Sequence, residues 1–122
     1  MFNKKNKIVI DSISSVLGES TRLNGRLVFS GTMRIDGTVE GEIVSGAQKG
    51  GHSTLIIGDK ANINGDIRVD TVINSGRITG NVNATNRIAI HEPGQLIGDV
   101  ETAELTVEDG VIFNGRCNMV RH

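Results

Sequence analysis

The side chains of this 122-residue chain best suited to chemistry are three histidines, one cysteine and several carboxylates placed beside glycines. His52, His91, His122 and Cys117 are the residue types that hold zinc, but no close ligand spacing joins them. They read as separate surface groups, and no metal or cofactor is assigned. Glu40, Glu42, Asp66 and Asp99 flank glycines, so stacking the glycine phrases would make an acidic ladder like the groove of a polysaccharide-cleaving β-helix. The matching positions elsewhere are Arg26, Asn81 and Arg116, and the chain has three Phe with no Trp or Tyr to stack on a sugar. Mixed charges on a wet surface account for the pattern, and no catalytic residue is assigned. Gly50 and Gly51 follow Lys49, but the G-x-x-x-x-G-K-[ST] spacing of a phosphate loop is absent.

The elements that carry these residues are set by one phrase, apolar-x-Gly-x-apolar. It appears as Ile63-Asn64-Gly65-Asp66-Ile67, Ile78-Thr79-Gly80-Asn81-Val82 and Leu96-Ile97-Gly98-Asp99-Val100. Aligned throughout, it gives six units centred on Gly25, Gly41, Gly65, Gly80, Gly98 and Gly115, with a mean step of 18 residues. So short a unit has no room for a helix. Strand side chains alternate with period two, so both apolar residues of each phrase fall on one side of an extended chain. Three inward columns result. The first is Leu17, Ile35, Ile57, Ile73, Ile90 and Val107, with Met33, Leu55, Ile88 and Leu105 two residues earlier. The second is Leu23, Val39, Ile63, Ile78, Leu96 and Phe113; the third is Leu27, Ile43, Ile67, Val82, Val100 and Cys117. Phe29, Val69, Ala84 and Met119 continue inward. Cys117 is therefore expected to be a buried structural thiol.

Strands too short to stand alone are satisfied when successive turns hydrogen-bond in parallel, which predicts an all-β, three-sided β-solenoid of about six coils. At about 4.8 Å per rung, six coils make a rod of roughly 29 Å. Glycines mark corners where a Cβ would obstruct the next turn. Hexapeptide acyltransferases are excluded because steps of six from Ile63 land on Val69, Ser75 and Asn81; calcium-binding nonapeptides are excluded because G-G-x-G-x-D is absent. Ile43 to Leu55 takes twelve steps where Leu27 to Met33 takes six, so Ser45 to His52 is expected to bulge as a loop at one corner.

Residues 1–14 differ from the body. Three lysines against Asp11 give them a net charge of +2 and leave −3 for the other 108 residues. They are expected to form a flexible tail, since a helix over Ile8 to Leu17 would be only ten residues long and marginal in water. The body spans 15–119, and 120–122 form a short end. The overall charge of −1 argues against nucleic acid as a partner. With no cleavable signal and no apolar run of about 20 residues, the expected compartment is the cytoplasm.

Solenoids are normally capped. No cap is legible at either end of this repeat, and Phe29 and Phe113 lie in its first and last units. End-to-end growth is the expected consequence, through Leu17, Leu23, Leu27 and Phe29 at one end and Leu105, Val107, Phe113 and Met119 at the other. Burying ~400 Å² of apolar surface there gives roughly 10 kcal/mol gross, against ~4–15 kcal/mol for association. Strand hydrogen bonds then tip the balance.

The body from Val16 to Met119 resembles the bactofilins, bacterial cytoskeletal proteins. The similarity is carried by Met33-Arg34-Ile35-Asp36-Gly37-Thr38-Val39-Glu40-Gly41-Glu42-Ile43 and Leu55-Ile56-Ile57-Gly58, in register with the repeat. The resemblance implies a right-handed parallel β-helix that polymerises without nucleotide into non-polar filaments, head to head and tail to tail. It also implies residence on the inner face of the cytoplasmic membrane and localisation of cell-wall or morphogenetic proteins. Met1-Phe2-Asn3-Lys4-Lys5-Asn6-Lys7 is similar to the family's membrane-targeting leader, making Met1, Phe2, Lys4, Lys5 and Lys7 the lipid-binding set. The long proline-rich tails of many members are not present in this sequence. The expected function is thus a non-enzymatic, self-assembling scaffold, with a non-polymeric β-solenoid binding module as the alternative.

Overall fold

The computed structural model describes residues 7–46 and 52–120, and for residues 7–15 the backbone alone. Among these residues there is no helix. Twelve strands follow one another: β1 (Lys7–Leu17), β2 (Arg22–Ile35), β3 (Thr38–Ser45), β4 (Ser53–Ile57), β5 (Asn62–Asn74), β6 (Arg77–Thr79), β7 (Val82–Ile90), β8 (Gln95–Ile97), β9 (Val100–Thr102), β10 (Leu105–Val107), β11 (Ile112–Asn114) and β12 (Cys117–Met119). Every pairing is parallel, and the longer strands bend around a corner to serve two faces. The result is a β-solenoid of about six turns with three faces.

Face A carries the residues before each glycine, and its inward column runs Leu23, Val39, Ile63, Ile78, Leu96, Phe113 in register. Face B follows the glycine and stacks Leu27, Ile43, Ile67, Val82, Val100 and Cys117. Both columns agree with the repeat alignment. Face C stacks Leu17, Ile35, Ile57, Asn74, Ile90 and Val107, so Asn74 stands where Ile73 was expected. The corner leading to face C takes four steps from Phe29 to Met33 and from Ala84 to Ile88, but three from Val69 to Val72, all six residues being buried. Losing one residue flips the pleat. Val72 and Asn74 turn inward, and Ile73 is left half-buried on the outside.

A polar side chain at the core is tolerable only if its atoms are paired. Asn74 is fully buried, and its Oδ1 accepts from the Gly76 amide at 2.9 Å while its Nδ2 donates to the Gln95 carbonyl at 3.2 Å. It thereby ties two turns of the C-to-A corner together.

The glycine corner between faces A and B is a stack of six, with Gly25 opposite Gly41 and Gly41 opposite Gly65. Gly65 shows why: its φ is +143°, and a Cβ there would collide with the carbonyl oxygen of Gly41 one rung away. Just outside this stack runs a ladder that periodicity did not reveal. Asp66 Oδ1 accepts the Asn81 amide at 3.3 Å, Asn81 Oδ1 accepts the Asp99 amide at 3.4 Å, and Asp99 Oδ1 accepts the Arg116 amide at 3.3 Å. Asp or Asn after the glycine satisfies the amide that the bend leaves outside the strand ladder.

The expected loop between β3 and β4 leaves and rejoins the coil beside one strand. The Gly46 amide donates to Phe29 O at 2.7 Å, and His52 O accepts from the Gly31 amide at 2.9 Å; residues 47–51 lie outside the described residues. At the other terminus, the ladder begins at Lys7, where β1 pairs with β2 from Lys7 opposite Arg26 to Leu17 opposite Ile35. Strand structure therefore reaches into the stretch expected to be a tail and takes the place of the helix considered there.

Candidate functional site

The ionisable candidates do not converge. His91 Nδ1 lies 3.1 Å from Glu108 Oε2 across the C-to-A turns of the last two coils, while His52 is exposed beside the β3–β4 loop. The Glu108 carboxyl is held below its usual range, first by the Glu92 amide and then by His91. No group of three His, Cys, Asp or Glu side chains among the described residues could hold a metal ion. The four carboxylates of the expected ladder are engaged with neighbours: Glu40 with Arg22 at 3.3 Å, Glu42 with Arg68 at 3.2 Å, Asp99 with Arg116 at 3.3 Å, and Asp66 with the Asn81 amide. Asp66 and Asp99, with Arg68, Asn81, Glu101 and Arg116, border a hollow of about 720 Å³ on the outside of face B. Its walls alternate acid, base and amide, as expected for stacked mixed charges.

The last coil is the unusual place. β10, β11 and β12 pair with β7, β8 and β9 respectively, and none has a strand on its other side among the described residues. Their inward positions repeat the core pattern, yet nothing is stacked upon them. Leu105 and Phe113 are half-buried against the core, while Val107 is 45% and Met119 55% exposed. Ile112, outward on β11, adds another exposed apolar side chain. The structure thus gathers Leu105, Val107, Phe113 and Met119 at one end of the rod, together with open strand edges.

Cys117 belongs to this end rather than to the core. It occupies the inward position opposite Val100, but the thiol is exposed because no coil covers it. Its Sγ contacts Met119 Sδ at 3.6 Å, and partial burial raises the thiol's pKa.

At the opposite end the expected set divides. Leu17 is half-buried and Leu23 nearly buried, but Leu27 and Phe29 are fully enclosed. The strand register explains the correction: β1 sets Ile8 opposite Leu27 and Ile10 opposite Phe29, so both lie one layer inside the rod. Periodicity pointed to this only weakly, because Ile8 and Ile10 alternate as a strand without a following glycine phrase. Of the expected lipid-binding set, Met1, Phe2, Lys4 and Lys5 lie outside the described residues, and Lys7 opens β1. No helix among the described residues is long and apolar enough to cross a membrane.

Comparison with known proteins gives a consistent picture. The family model described as "Bactofilin: Polymer-forming cytoskeletal" matches residues 15–118. Bactofilin BacP of Myxococcus xanthus (strain DK1622) is 30% identical over 106 residues, 87% of this chain and 42% of the relative. Bactofilin BacO of the same organism is 27% identical over 106 residues, 87% of this chain and 79% of the relative. The chain thus spans less than half the length of the first and about four fifths of the second. No solved structure matches.

Proposed function

Since the chain belongs to the bactofilin family of polymer-forming cytoskeletal proteins, we propose that it is a scaffold subunit that assembles end to end, without nucleotide, into non-polar filaments. The observation that carries this is the last coil, where three strands are paired on one side only and core-type side chains stand exposed. Leu105, Val107, Phe113 and Met119 supply the apolar contact at that end. Leu17 and Leu23 supply it at the other, above the packed layer of Leu27 and Phe29. An open parallel ladder is stabilised by any further strand that meets its edge, and a stack that repeats this at both ends grows without limit. Electron microscopy and sedimentation of the purified chain without nucleotide test the reading. Filaments are expected; single particles at high concentration would refute it in favour of a binding module.

The same reading takes the filament to the inner face of the cytoplasmic membrane through Met1, Phe2, Lys4, Lys5 and Lys7. Each lysine near anionic lipid contributes ~1 kcal/mol, and burying Phe2 adds ~1.5–3 kcal/mol. One such tail binds weakly, but many on one filament bind together. There the polymer would position cell-wall or morphogenetic proteins. Co-sedimentation with anionic liposomes should fall when residues 1–7 are deleted; equal pelleting would remove the membrane contact.

A further inference from the structure

The last coil is not a flat end. The chain climbs from β10 on face C, through β11 on face A, to β12 on face B, and then leaves a step of one rung at the corner between B and C. Two such ramps related by a two-fold axis across the rod mate with even spacing only if the axis passes through that step. The same axis then crosses the middle of face A. The two other rotational settings leave one or two faces a full rung out of contact, about 4.8 Å.

The charges select the same setting independently. The corner between A and B carries Arg116, whose side chain is 88% exposed. The turn between C and A carries Glu108 and Asp109, both exposed. An axis through the B–C step exchanges these two corners. An axis through either of the other corners stacks Arg116 on its own copy, or Glu108 and Asp109 on theirs.

We propose that, within the polymer reading above, the last coil meets a second copy in this one register. β11 pairs antiparallel with itself about Phe113, β12 lies on the partner's β10, and Arg116 faces the partner's Glu108 and the partner's Asp109. Inward positions then meet inward positions on all three faces: Phe113 on the partner's Phe113, Cys117 on the partner's Val107, and Met119 on the partner's Leu105. Ile112 falls opposite the partner's Asn114 on the outside.

Directly opposed residues of antiparallel strands lie about 4.5–5.5 Å apart at Cα, within the range a disulfide spans. Under mild oxidation of assembled full-length chain, Phe113→Cys in a Cys117→Ser background should give a covalent dimer. Val107→Cys with the native Cys117 should do the same. The unaltered chain should stay uncrosslinked, because its two Cys117 lie on different faces of the junction. Asp109→Arg, on an exposed turn, should raise the concentration needed for assembly by roughly tenfold. Rapid Cys117–Cys117 crosslinking in the unaltered filament would overturn the register, as would filaments in which neither engineered cysteine reacts. Absence of filaments from the unaltered chain, seen by microscopy of the same samples, would instead remove the polymer reading and this register with it.

Discussion

Replacing Asn74 by Ala separates the fold described above from the one periodicity suggests. Asn74 is fully enclosed and its side chain holds the buried Gly76 amide at 2.9 Å and the Gln95 carbonyl at 3.2 Å. Removing it leaves a buried donor unpaired, at about 1–3 kcal/mol, and weakens a partly accessible carbonyl by about 0.5–1 kcal/mol. The expected loss is therefore about 1.5–4 kcal/mol. Ile73→Ala removes a half-buried, outward side chain and should cost about 1 kcal/mol, well short of the 2–5 kcal/mol of a core isoleucine. Chemical denaturation below the assembly concentration, with circular dichroism as the probe, gives both values. A greater loss for Ile73→Ala than for Asn74→Ala would refute the three-step corner and put Ile73 in the core.

Gly65→Ala sets a Cβ against the Gly41 carbonyl at a φ of +143°, so separation of two rungs adds to backbone strain and the melting temperature should fall by an amount corresponding to about 3 kcal/mol or more. Gly18→Ala, with no atom within 4 Å of the added Cβ, should leave it unchanged. Phe113→Glu places a charge in the apolar end and should yield soluble short species in sedimentation; undiminished filaments would discredit that interface. The Glu108 carboxyl is depressed from its ordinary value of 4.5. Its hold on the Glu92 amide, at 3.0 Å, is thus fully in place above pH 4.5 and is lost as pH falls through the lower, folded-state value. The acid-side movement of the Glu92 amide shift in NMR should have its midpoint below pH 4.5.

Much of this was readable from residue order because a solenoid's contacts recur at nearly constant separation. Ile63 meets Ile78 and Leu96 because each holds the same place in its phrase, and a period-two pattern anchored on glycine decides which side chains face inward. The departures have a common cause. The corner before Val72 is one residue short, so the inward parity of β5 changes without any change in composition. Asp66, Asn81 and Asp99 read from the sequence as part of a mixed-charge surface, and only the bend of the backbone turns them into caps for exposed amides.

Sequence by itself determined the repeat, the three inward columns save one position, the glycine corners and the all-β class, since these follow from spacing along the chain. Tertiary structure decided what depends on which coil lies above which. It enclosed Leu27 and Phe29 beneath β1, exposed Cys117 at the last coil, put Asn74 where an isoleucine was expected, and set Arg116 one corner away from Glu108 and Asp109. Burial in a solenoid belongs to a layer and its neighbour, and a side chain's own phrase says nothing of whether a further layer covers it.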